Sequence, residues 1–96
     1  MKPSTALALN RDAVREAMGR FRASNPRVFG SVLHGTDRQG SDLDILIDPL
    51  PGATLFDIGG LQVALEELLG VNVDVLTAED LPPSFRNHVL AEARPV

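Results

Sequence analysis

The 96-residue sequence predicts a small α/β (α+β) fold, a mixed β-sheet packed by helices in the order α-β-β-α-β-α, with residues 1–96 forming one domain. Three observations carry that prediction. A short apolar run ends at Gly30-Ser31, and a second opens with Asp42-Leu43-Asp44 after a polar, Gly-rich stretch. A leucine stripe at helical spacing then leads into a third, Val-rich run. A helix between two strands favours a parallel crossover between neighbours, while the direct connection between the first two runs leaves the sheet mixed.

Met1 to Leu9 carries no secure assignment and reads as an entry segment. Asn10 suits an N-cap and Asp12 the positive end of a helix. Val14, Ala17, Met18 and Phe21 then recur at helical spacing over about three turns. Ser24-Asn25-Pro26 stops this helix, Arg27 to Gly30 forms the first strand, and Asp42 to Asp48 the second. Pro49-Leu50-Pro51-Gly52 breaks the second strand. The next helix begins near Thr54 to Asp57, buries Leu61, Ala64, Leu65, Leu68 and Leu69, and is capped by Gly70. Gly59-Gly60 weakens its first turns, each glycine costing about 1 kcal/mol relative to alanine. Val71 to Leu76 is the third strand, and Ser84 to Ala93 the closing helix beyond Pro82-Pro83.

Side chains alternate across a strand, so Asp42 and Asp44 share a face roughly 6–7 Å apart, while Leu43, Ile45 and Ile47 point into a core. Paired carboxylates repel at neutral pH unless a cation or proton compensates. Asp74 interrupts the third strand on the face opposite Val71, Val73 and Val75, and stands near Asp42 and Asp44 if the two strands adjoin. Three acids beside a glycine-serine turn suit a metal and a phosphate chain. The plainer readings are a solvated turn for Asp42 and Asp44, and for Asp74 an ion pair with an arginine on a neighbouring helix. His34 reads as a loop residue, His88 as an exposed helix position, and Asp48 as a solvated end of the strand.

There is no cysteine, which excludes disulfides and thiolate chemistry, and the two histidines form no zinc pair. No apolar stretch reaches the length of a membrane span, and the N-terminus lacks a signal-peptide core, so the expectation is a cytoplasmic protein. The net charge of −4 argues against broad nucleic-acid binding, though a divalent cation would supply positive charge locally for a nucleotide. The stretch after Gly30 is not a Walker A loop, because no Gly-Lys-Ser/Thr follows, and Asp37 to Asp48 does not fit an EF-hand.

Gly30-Ser31, ten residues, then Asp42-x-Asp44, with a third acid on a later strand, resembles the GSx10DxD signature of DNA polymerase beta-like nucleotidyltransferases. The chain is most similar to their minimal nucleotidyltransferase (MNT) group, from about Arg20 to the C-terminus. The resemblance implies catalytic and metal-binding roles for Asp42, Asp44 and Asp74, with two Mg²⁺ ions and ATP as nucleotide donor. Gly30 and Ser31 would contact the phosphates, and Ser41 would touch a phosphate or support the loop. Many members carry an arginine where this chain has Leu33-His34, with Arg38 the nearby cation. The sequence ends about twenty residues after Asp74, so the expectation is that a separate protein presents the acceptor. Members of this kind are antitoxins that transfer AMP to a tyrosine of a HEPN-type ribonuclease toxin, which implies a hetero-oligomer. The alternatives are an antitoxin that neutralises by binding alone and, more weakly, nucleotidyl transfer to a small molecule.

Overall fold

A computed structural model describes residues 1–96, with principal extents of 34 × 31 × 18 Å. The elements are α1 (Pro3–Leu9), α2 (Arg11–Arg20), β1 (Ala23–Phe29), α3 (Gly30–His34), β2 (Leu43–Pro49), α4 (Leu55–Leu69), β3 (Val73–Leu76), a 3₁₀ turn (Ala78–Asp80), α5 (Pro83–Glu92) and β4 (Arg94–Pro95). They build one four-stranded mixed sheet in the order β3-β2-β1-β4. β1 runs antiparallel to β2 and to β4, and β2 runs parallel to β3. The predicted mixed sheet is therefore present, and the helix between β2 and β3 makes the expected parallel crossover.

The pleat of β2 divides the interior in two. Leu43, Ile45 and Ile47 face a larger core with Ala6, Leu7, Val14, Met18, Leu61, Leu65 and Val73. Leu46 faces the other way, into a smaller cluster with Leu81 and Val89, flanked by Phe29, Leu76 and Ala93. Leu43, Ile45, Leu46, Leu61 and Leu65 are fully shielded, and each such side chain contributes roughly 1.5–3 kcal/mol by leaving water. Asp44 lies between Ile45 and Leu43 in sequence, so it shares the α5 face with Leu46.

Several boundaries differ from expectation for tertiary reasons. Residues 3–9, left unassigned from sequence, form α1: Pro3 occupies the first turn, and Pro3, Ala6 and Leu7 are buried. Asn10 flanks both α1 and α2, yet its side chain donates back to the Ala6 carbonyl at 2.8 Å, so it does not cap α2. β1 begins at Ala23, earlier than predicted, because the chain passes Asn25 (φ 52°) and Pro26 through a register shift between Ser24 and Arg27. A bulge is where a strand tolerates proline. β3 starts at Val73, two residues later than expected, after Gly70 ends α4 in the left-handed region. β4, with two residues and a proline, was not predicted; it exists only because β1 offers a free edge.

α4 starts and stops where the sequence puts it. Thr54 and Asp57 form a capping box, with the Asp57 carboxylate accepting the Thr54 N–H at 2.9 Å. Gly60 does not break the helix. A Cβ there would stand 2.8 Å from the Phe21 ring, so the glycine is what lets α2's end pack against α4.

Candidate active site

β1 ends and β2 begins at the same rim of the sheet, since Phe29 pairs with Asp44. The next residue, Gly30, turns the chain into α3 with φ +71°, a region that disfavours side chains. A Cβ on Gly30 would fall 2.3 Å from Asp44 Oδ2, so backbone lies directly against that carboxylate. Ser31 follows in the first turn of α3, half-buried, and its hydroxyl has no hydrogen-bond partner within the protein.

The parallel register sets Asp44 beside Asp74, with Leu43 beside Val73. The two acids predicted to converge from adjacent strands are therefore direct neighbours. Asp74 forms no ion pair with any arginine. Asp42 precedes the first residue of β2 and is exposed. Burial, the negative charges of Asp74 and then Asp42, and hydrogen bonding with Asp74 together push the Asp44 carboxyl up from 3.8 to about 6. The three carboxylates do not already stand as a closed cage of metal ligands. Repulsion among like charges opposes such a cage until positive charge is supplied.

Hard oxygen donors from three carboxylates, one of them destabilised in its charged form, are the donor set that suits Mg²⁺. The glycine at position 30 leaves room for a ligand's phosphates to approach the same carboxylate. The donor chemistry of these residues fits a divalent cation.

Ser41 supports the loop: its Oγ accepts the Arg38 N–H at 2.8 Å, and its N–H donates to the Arg38 carbonyl at 2.9 Å. Across the sheet rim, Leu43 N–H donates to the Asn72 carbonyl. Gln39, Gly40 and Ser41 face Gly70, Val71, Asn72, Glu66 and Met1 across an open cavity of about 570 Å³, which none of the three acids lines. His34 lies in α3, not in a loop, and its Nε2 meets Glu92 Oε1 at 2.6 Å, with His88 on the other Glu92 oxygen at 3.6 Å. The hydrogen bond from His34 chiefly holds the Glu92 carboxyl below its usual range. Arg38 stays exposed. Asp48, expected to be solvated, is exposed but paired with Arg27 at 2.6 Å. Sequence reasoning gave no role to Asp37 or Glu92, which anchor the loop and α3; their partners Ser4 and His34 lie 33 and 58 residues away.

The Nucleotidyltransferase domain family matches residues 12–96. The Protein adenylyltransferase MntA of Thermococcus cleftensis is 35% identical over 78 residues, covering 81% of this chain and 79% of that protein. A solved structure described as a "putative minimal nucleotidyltransferase" is 45% identical, covers 100% of this chain and 97% of its own, and superposes with a TM-score of 0.86. A crystal structure of a toxin-antitoxin with AMP-PNP shares the fold at a TM-score of 0.74 and 18% identity, over 90% of this chain and 71% of that one. No helix is long and apolar enough to cross a membrane. With a glycine turn packed on the middle of three acids, and these relatives spanning most of its length, the chain belongs to the nucleotidyltransferase domain family, as an enzyme of its minimal nucleotidyltransferase group.

Proposed function

We propose that this protein transfers AMP from ATP to a tyrosine hydroxyl of a HEPN-type ribonuclease toxin and thereby acts as its antitoxin. The observation that carries the reading is Asp44, held between Asp42 and Asp74 and pressed against Gly30. A carboxylate placed so that its charge is unwelcome gains most when positive charge arrives. The protein acceptor is supported by the relative named as a protein adenylyltransferase, and the toxin by the structural neighbour that is a toxin-antitoxin with a nucleotide.

Asp42, Asp44 and Asp74 would hold two Mg²⁺ ions, which supply charge neutralisation of the triphosphate and a more acidic acceptor hydroxyl. Gly30 brings backbone close to the phosphates, and the Ser31 hydroxyl donates a hydrogen bond to a β- or γ-phosphate oxygen. Asp74 Oδ takes the proton of the acceptor hydroxyl. The acceptor oxygen bonds to the α-phosphorus, the bond from that phosphorus to the bridging oxygen breaks, and pyrophosphate leaves. Ser41, braced by Arg38, supports the loop that leads into Asp42. The product carries a phosphodiester and an adenosine where RNA must bind, which blocks the toxin. The protein acts in the cytoplasm beside its partner as a hetero-oligomer.

The test uses ATP labelled at the α-phosphate, Mg²⁺ and a HEPN-type ribonuclease as acceptor, with wild type against Asp44→Asn. Label on the toxin only with wild type supports the reading; an unlabelled toxin refutes catalysis. Retained neutralisation by Asp42→Asn/Asp44→Asn would point instead to occlusion. Turnover of a small hydroxylated substrate by the protein alone would point to the third class of acceptor.

A further inference from the structure

Asp37 is the one buried acid of the chain, 6% exposed, and it lies in the connection between α3 and β2. Its Oδ2 accepts the Ser4 N–H at 2.8 Å, across 33 residues of sequence. Ser4 sits in the first turn of α1, where backbone N–H groups lack helical partners and a carboxylate is welcome. Lys2, immediately before that helix, adds positive charge nearby. Burial works against the charged form of Asp37, but the Ser4 hydrogen bonds, its own N–H and the Lys2 charge outweigh burial and hold the carboxyl below its ordinary value.

The anchored end of α1 cannot drift. Ala6 and Leu7 belong to the main core and Pro3 is buried beside them, so Asp37 is tied to a fixed body. Arg38, the next residue, exchanges two hydrogen bonds with Ser41, and Ser41 directly precedes Asp42 in the chain. The same Gln39–Ser41 stretch lines a cavity with Glu66 and Gly70–Asn72, and Met1 reaches that cavity from the N-terminal side. Residues 1–11 lie outside the family match at 12–96, so the anchor comes from a segment the family match does not include.

We propose that Asp37 is a positioning residue: by capping α1 it fixes the Arg38–Ser41 brace, and through it the placement of Asp42, the next residue in the chain, for a bound nucleotide. It touches no reacting atom. Asp37→Ala removes the acceptor, Asp37→Asn keeps a neutral one, and Asp37→Ser is polar but too short to reach Ser4.

The experiment pairs amide hydrogen exchange of the nucleotide-free full chain with calorimetric binding of ATP in Mg²⁺. The binding arm rests on the function proposed above; the exchange arm does not. In Asp37→Ala the amides of Ser4 and Ser41 should exchange about tenfold faster while Leu65 in α4 keeps its rate, because one charge-assisted hydrogen bond closes the local unit. ATP binding should weaken several-fold, and Asp37→Asn should recover most of both effects. Asp37→Ser should follow alanine and stands in for it if alanine does not fold. Unchanged exchange at Ser41, or faster exchange with unchanged ATP affinity, overturns the proposal. A wild type that binds no ATP overturns the proposed function instead, with the exchange arm still deciding whether Asp37 holds the loop.

Discussion

Replacing Asp44 with asparagine should stabilise the metal-free protein at neutral pH. A rise from 3.8 to about 6 corresponds to about 3 kcal/mol between the charged and neutral forms if no solvent screened the site. Asp44 is only half-buried at an open rim, so screening reduces this to about 1 kcal/mol. A carboxyl with a raised native value binds more protons folded than unfolded between about pH 4 and pH 6. Its penalty is therefore complete above pH 6 and fades as pH falls toward 3.8. Asp44→Asn removes the charge without changing shape. By thermal unfolding in EDTA at pH 8 its Tm should exceed that of wild type by about 4–8 °C. At pH 4 most of that gap should close. Adding Mg²⁺ at pH 8 should raise the wild-type Tm and leave the variant nearly unmoved. A variant no more stable than wild type at pH 8, or a gap of the same size at pH 4, would refute the claim that Asp44 is held in an unfavourable charged state.

Other substitutions probe the scaffold. Gly30→Ala forces a side chain into a left-handed turn and onto Asp44 Oδ2, so it should cost about 1–3 kcal/mol in urea unfolding and abolish AMP transfer. Thr54→Ala breaks the capping box of α4 at the sheet end away from the acids; about 1 kcal/mol of stability should go, with the turnover number intact. Leu46→Ala opens a void beneath α5 and should cost about 2–5 kcal/mol by the same measurement, with faster amide exchange at Val89.

The parts legible in the sequence were those whose cause is local. Gly30-Ser31 and Asp42-x-Asp44 announce themselves by spacing, and the alternation of β2 tells which face Asp44 takes, although Asp42, expected to open that strand, lies just before it. Thr54, Asp57 and Gly70 mark the ends of α4 because a helix terminus is satisfied by residues at fixed offsets. The Val-rich run around Asp74 places that acid on β3, and the helix before it dictates a parallel neighbour. What escaped depends on partners distant along the chain. α1 is short, and its first turn is satisfied by Asp37. Asn10 has the right chemistry for a cap, but its amide is claimed by Ala6. His34 meets Glu92 across 58 residues, and no periodicity records that pairing. Pro26 reads as a stop signal, yet a bulge lets β1 run through it.

β3 is an outer strand of the sheet, and its outward amides are already spoken for. Val73 N–H donates to Glu66 Oε2 at 3.2 Å and Val75 N–H to Gln62 Oε1 at 3.3 Å, both from α4. On the opposite margin, β4 is two residues long and ends in a proline. Both borders are thus poorly suited to adding a guest strand by main-chain ladders. Strand addition along either margin would therefore start with few free main-chain donors, which leaves side chains as the larger share of what this sheet offers a neighbour.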